Sequence, residues 1–140
     1  MSSRCIIQYT FLVILVAINF NNEVGAEINP DQKTSNAKWW KGNLHTHSFW
    51  SDGDDFPEMI VNWYVENSYN FLALSDHNIL SEGDKWIFLS TGGEAVEKTY
   101  LNYLEKFGKE WVETEEDSEL GLRVRLKPLN EFRSLFENPG

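Results

Sequence analysis

Phe71-Leu72-Ala73-Leu74-Ser75-Asp76-His77-Asn78 decides how the chain is read. An apolar run with polar residues on both sides is the pattern of a short strand buried on both faces. Upstream, Lys38 to about His45 reads as another strand, running into the polar segment Thr46 to Asp55. Between the two, Asp55-Phe56-Pro57-Glu58 has the make-up of a helix start, with Asp55 as cap, Pro57 in the first turn and Glu58 placed to complete a capping box. The helix is predicted to run to about Asn67, with Ile60, Trp63, Tyr64 and Asn67 along one stripe, and to end at Ser68-Tyr69-Asn70. Strand, helix and strand make a βαβ unit. Right-handed crossover renders its strands parallel and brings both C-terminal ends to one sheet edge, where α/β folds place their sites.

All three histidines of the chain fall at that edge. His45 and His47 close the first strand, and Asp76-His77 follows the second. In extended backbone the period of two points both imidazoles of His45-Thr46-His47 to one side, as two ligands of one ion require. Asp52 lies in Ser51-Asp52-Gly53, where Gly53 lets the loop turn back and present the carboxylate. Imidazole plus carboxylate suits Zn²⁺, Mn²⁺ or Fe²⁺ better than Ca²⁺ or Mg²⁺ alone. One His-x-His pair fits a hydrogen-bonded strand end equally well; the gathering of every histidine on one face favours a metal site.

His45-Thr46-His47, Ser51-Asp52-Gly53 and Asn70-Phe71-Leu72-Ala73-Leu74-Ser75-Asp76-His77-Asn78 together resemble the first two motifs of the PHP family, the polymerase and histidinol phosphatase domain. The likeness runs from about Trp39 to Asn78. It implies a distorted (β/α)7 TIM-like barrel that holds two or three divalent ions, Zn, Mn or Fe, at the C-terminal ends of its strands. It also implies hydrolysis of a phosphomonoester or small phosphodiester by metal-activated water. Carried over by position, His45 and His47 would bind one metal, and Asp52 and His77 another. Asp76 is expected outside the ligands, orienting one of them.

A PHP site also needs a bridging Glu, further histidines and a late Asp-x-His, yet no histidine follows His77. Glu94 and Glu131 are the nearest candidates for the bridge, and neither is assigned. The expected fold is therefore α/β, the N-terminal portion of such a barrel, truncated: 140 residues stand against the ~250 typical of a barrel. A fragment of this kind is expected to continue past Gly140 and to be inactive alone. Two other classes remain open, a non-catalytic metal-binding relic or binding module, and an amidohydrolase-type metal hydrolase that also opens with His-x-His on a barrel strand. Ser51-Asp52-Gly53 and Ser75-Asp76-His77-Asn78 favour PHP over the latter.

Residues 1–26 have the layout of a secretory signal: Arg4, an apolar run from Ile6 to Phe20, and small residues before a cleavage point in Val24-Gly25-Ala26. Cleavage after Ala26 and export, to a periplasm or outside the cell, would remove Cys5, the single cysteine. An uncleaved membrane anchor is the alternative, although the run is shorter than the ~20 apolar residues that span a bilayer. No stable membrane span is expected once the leader is cleaved. Residues 27–37 read as a polar leader, and 38–140 as the N-terminal part of the PHP domain.

A composition of 41% hydrophobic, 14% aromatic and 24% charged residues belongs to a packed core and excludes a low-complexity chain. A formal net charge of −10 disfavours duplex nucleic acid as partner and leaves a small phosphorylated substrate, attracted by local metal charge. Downstream, Leu80 to Gly93 reads as an apolar flap, and Glu94 to about Trp111 as a helix with a core stripe of Val96, Tyr100, Tyr103, Phe107 and Trp111. Glu113 to Glu119 reads as a solvated acidic loop. Leu122 to Lys127 alternates, packing Leu122, Val124 and Leu126 and showing Arg123, Arg125 and Lys127 as candidate phosphate contacts, although exposed basic faces ordinarily meet only water. Asn130 is expected to cap a last helix, Glu131 to about Phe136.

Overall fold

The computed structural model describes the backbone of Val16–Asn19 and residues 38–137. These residues are mixed α/β, with two three-stranded sheets, neither closed into a barrel. Strands β1 (Val16–Asn19), β2 (Gly42–Thr46) and β3 (Phe71–Leu74) form the first, in the order β1-β3-β2. β2 and β3 run parallel, connected through α1 (Pro57–Glu66), so the expected βαβ unit is present. β3 is central, and Leu72, Ala73 and Leu74 are buried in succession, as a strand covered on both faces requires.

Register pairs Gly42 with Phe71, Asn43 with Leu72 and Thr46 with Leu74, so β2 carries an extra residue between Asn43 and Thr46. Asn43 holds this bulge. Its Oδ1 accepts the His45 N–H at 3.0 Å, and its Nδ2 donates to Thr46 Oγ1 at 2.8 Å and to the Tyr64 hydroxyl. A bulge breaks strict alternation, and this one sits just before the His-x-His pair.

The start of α1 differs from the expected cap. Phe56 is the N-cap, while Asp55 Oδ1 accepts the Phe56 N–H at 2.7 Å and the Asp55 carbonyl accepts the Phe49 N–H at 2.9 Å. Packing sets the entry, because Phe56 is fully buried and stacked on Tyr103 with centroids 4.1 Å apart. The buried stripe is Pro57, Glu58 and Val61, with Ile60 and Tyr64 partly covered, whereas Trp63 is exposed. Glu58 was expected at the helix mouth; it faces the core instead and accepts hydrogen bonds from the Tyr103 hydroxyl at 2.8 Å and Trp111 Nε1 at 3.1 Å. Burial pushes its carboxyl up in spite of these donors.

The second sheet is antiparallel, with β4 (Lys85–Phe88), β5 (Thr114–Asp117) and β6 (Gly121–Leu126) in the order β4-β6-β5. Thus the apolar flap is a strand, and so is most of the acidic loop. β6 supplies the reason, because its cations face carboxylates on both sides. Arg123 meets Glu115 at 2.6 Å, Arg125 meets Asp84 at 3.1 Å, and Lys127, just past the strand, pairs with Glu113. An acidic run and a basic face, each hydrated when taken alone, find each other across the ladder.

Between these strands, α2 (Leu89–Phe107) is broken at Gly93, whose φ of 64° and ψ of −158° no helix interior permits, so its main part starts where Glu94 was expected and stops at Phe107 instead of Trp111. α3 (Leu129–Phe132) and a 3₁₀ turn (Arg133–Leu135) end the described chain, with Pro128 rather than Asn130 at the cap. Two buried clusters result. Val61, Leu72, Leu74 and Phe132 form one, and Trp50, Phe56, Tyr103, Val112, Val124 and Leu126 the other, with Trp111 packed against both.

β1 falls inside the expected leader and lies antiparallel to β3, with Val16 opposite Leu74 and Asn19 opposite Phe71. The rest of residues 1–26 and the polar leader 27–37 lie outside the described residues, as do 138–140. Among the described residues no helix is long and apolar enough to cross a membrane.

Two measurements follow from this architecture. Deleting residues 1–26 strips β3 of one neighbour, and amide exchange over Phe71–Leu74, followed by mass spectrometry, is expected to accelerate. Burial raises the Asp55 carboxyl from 3.8 to about 6. The folded chain then holds this proton more tightly than the unfolded one, and stability is lost as pH rises through that window. Asp55→Asn removes the loss, so urea midpoints of variant and parent should agree at the acid end and diverge in the variant's favour by pH 7.

Candidate metal centre

Parallel pairing carries on past β3: the Ser75 N–H donates to the Thr46 carbonyl at 2.7 Å, holding the two strand ends level. His45 is the last residue but one of β2, His47 directly follows the strand, and His77 lies just beyond β3. Their rings form a row, with centroids 4.6 Å apart for His45 and His47 and 4.2 Å for His47 and His77. Asp52 reaches two of them. Its Oδ1 is 2.9 Å from His47 Nδ1, and its Oδ2 is 3.6 Å from His77 Nε2.

All four expected ligands therefore share one edge, but grouped differently from the expectation. His47, Asp52 and His77 each offer a donor atom within 4.8 Å of the other two. His45 stands aside, with its Nδ1 3.3 Å from Ser75 Oγ. The β2 bulge shifts His45 relative to a regular strand, so His47 sits at the centre of the row instead of forming one half of an isolated pair.

The cluster is open on one side and closed on the other. Asp52 is 63% and His77 52% exposed at the side chain, against 18% for His47. His47 Nε2 is buried and has no hydrogen-bond partner among the described residues. An unpaired buried ring nitrogen is costly unless a proton acceptor or a cation satisfies it. Partial desolvation works against ionisation of Asp52, yet the Ser51 hydroxyl and the His77 and His47 imidazoles hold its carboxyl below the ordinary range.

The loop that carries Asp52 is firmly seated. The Ser48 carbonyl accepts the N–H groups of Ser51 at 2.9 Å and Gly53 at 3.0 Å. Gly53 acts through its missing side chain, since a Cβ there would lie 2.4 Å from the His47 carbonyl carbon and oxygen. Trp50 and Phe56, on either side of Asp52, are buried in the second core, and Trp50 Nε1 donates to the Lys127 carbonyl at 3.2 Å.

Asp76 points its carboxylate at this loop. Its Oδ1 accepts the Ser48 N–H and the Ser51 hydroxyl, each at 2.7 Å, and its Oδ2 accepts the Ser48 hydroxyl at 2.9 Å. Ser48, fully buried, went unnoticed in the sequence, where it reads as one more polar loop residue. The available signal was an acid directly after a buried strand, facing a hydroxyl directly after the paired strand.

Comparison of the chain with protein-family models, curated proteins and solved structures gave no match. What the site can do rests on its own residues.

The three candidate phosphate contacts are committed elsewhere. Arg123 pairs with Glu115 and lies over the Trp86 ring, Arg125 pairs with Glu131 and Asp84, and Lys127 with Glu113. The basic face is thus engaged by carboxylates of this chain rather than open to water. Glu131 belongs to the same network, and Glu94 is exposed in α2. A cleft of about 970 Å³ opens beside the cluster, bordered by Asp76, Asn78, Leu80, Arg125 and Glu131; no histidine lines it.

Gly53→Ala is expected to push the loop off the His47 backbone. Overpacking of this kind costs about 1–3 kcal/mol, readable as a lowered urea midpoint, and should separate Asp52 from His47, readable as weakened Zn²⁺ binding in calorimetry.

Proposed function

We propose that the chain is the N-terminal, metal-binding part of a PHP-type phosphoesterase, which hydrolyses a phosphomonoester or small phosphodiester. The observation that carries this reading is the convergence of His47, Asp52 and His77 at the ends of two parallel strands, with a buried His47 nitrogen that has no partner among the described residues. Imidazole and carboxylate donors of this kind fit Zn²⁺, Mn²⁺ or Fe²⁺. His47, Asp52 and His77 would hold the ion, with His45 alongside. A bound divalent ion supplies Lewis acidity, lowering the pKa of water and neutralising phosphoryl oxygens.

The chain's own residues prepare the place. Asp52 is kept ionised by its neighbours, and its exposed side, with that of His77, leaves room for a substrate oxygen to approach. The neighbouring cleft falls within the volumes usual for small-ligand sites, and Asp76 and Asn78, which flank His77 in sequence, border it. Recruitment of an anion by a chain of net charge −10 then depends on local cationic charge. A longer barrel would supply the remaining ligands, and export through residues 1–26 belongs to the same proposal.

Calorimetry with Zn²⁺ or Mn²⁺, paired with p-nitrophenyl phosphate turnover, tests it. The chain is expected to bind the ion, and Asp52→Ala or His77→Ala to weaken binding by more than the roughly 10- to 100-fold typical of outer-shell changes. Turnover is expected only from a form extended beyond Gly140. Binding without turnover even in such a form would favour a binding module, and absence of ion binding would remove the proposal altogether.

A further inference from the structure

Asp76 reaches the metal cluster through two serines. Its carboxylate takes three hydrogen bonds from Ser48 and Ser51, and charge-assisted bonds of this kind are stronger than neutral ones. Ser48 is fully buried and fixes the turn from within: its hydroxyl oxygen accepts the Trp50 N–H at 3.1 Å, and its carbonyl accepts two further N–H groups of the loop. Ser51 stands between two acids, with its hydroxyl 2.7 Å from Asp76 Oδ1 and 3.2 Å from Asp52 Oδ1. The single hydroxyl proton cannot serve both fully, and the shorter contact directs it to Asp76.

We infer that Asp76 is a positioning residue: it clamps the Ser48–Gly53 turn to the end of β3 and thereby sets Asp52 against His47 and His77. The inference rests on the metal-centre reading and deepens it, since it assigns the placement of Asp52 to a residue outside the cluster. β3 thus contributes to the cluster twice, through His77 directly and through Asp76 by way of the turn on the opposite strand. An amide does not replace this carboxylate. In Asp76→Asn one oxygen becomes a donor facing the Ser48 hydroxyl, which already accepts from Trp50 and would lose the acceptor for its own proton.

The experiment uses the full chain with Zn²⁺ and Co²⁺ as the only probes. Asp76→Asn and Ser51→Ala are each expected to weaken Zn²⁺ binding by about tenfold or more and to alter the visible spectrum of the Co²⁺ form. Ser51→Thr, which keeps the hydroxyl, should restore both. Phe132→Leu, a core change on α3 rather than on the strands that carry the cluster, serves as the control for general destabilisation and should leave the spectrum of the folded form unchanged. In the ion-free chain, the Ser48, Ser51 and Gly53 amides should exchange faster in Asp76→Asn than in the parent. Wild-type Zn²⁺ affinity and Co²⁺ spectrum in Asp76→Asn, alongside lost binding in Asp52→Ala, would overturn the inference and leave the metal centre standing. Failure of the parent to bind either ion would overturn the metal centre, while unchanged amide exchange in Asp76→Asn would overturn the clamp by itself.

Discussion

Parallel pairing of β2 with β3 is the constraint on which the rest of the structure depends. It levels the two strand ends through the Ser75 to Thr46 hydrogen bond and brings residues far apart in sequence to one edge. Parallel pairing needs a crossover, and α1 supplies it by burying Val61 against Leu72 and Leu74. Leu72, Ala73 and Leu74 are buried in succession, so packing holds β3, and the side chains that follow it have a firm base. The histidine row, the turn carrying Asp52 and the Asp76 bonds all inherit that base.

The βαβ unit was legible because its signals are local: an apolar run with polar flanks, a proline in the first helical turn, and histidines at strand ends. The grouping of the candidate ligands was not. Alternation along His45-Thr46-His47 assumes regular backbone, and the bulge held by Asn43 depends on Tyr64, a residue on the helix. The entry to α1 was misplaced for a related reason, since Phe56 stacking on Tyr103 settles it and that partner lies 47 positions further along the chain. Ser48 was invisible because Asp76, whose carboxylate takes its N–H and hydroxyl, lies 28 positions further along the chain.

The second sheet shows how charge misleads when segments are read singly. Glu113 to Asp117 has no apolar face to hide, and the Arg123, Arg125 and Lys127 face resembles a surface for anions. Brought together they neutralise one another. Exposed pairs of this type contribute little apiece, but Arg125 and Lys127 are largely buried, and removing one partner there would strand an uncompensated charge. The network therefore joins β5 and the segment before β4 to β6 through charge as well as through the ladder.

The hydrogen bond from Trp50 Nε1 to the Lys127 carbonyl spans 77 residues. Its consequence is one of timing. Closing a long loop before its contacts reward it slows folding, and on a ribosome the C-terminal end of β6 emerges late. The βαβ unit is complete in the chain by Leu74, whereas the turn bearing Asp52 gains its aromatic anchor only once the C-terminal end of β6 is present. A nascent chain thus carries its three histidines clear of the ribosome before it holds the residue that anchors the Asp52 turn.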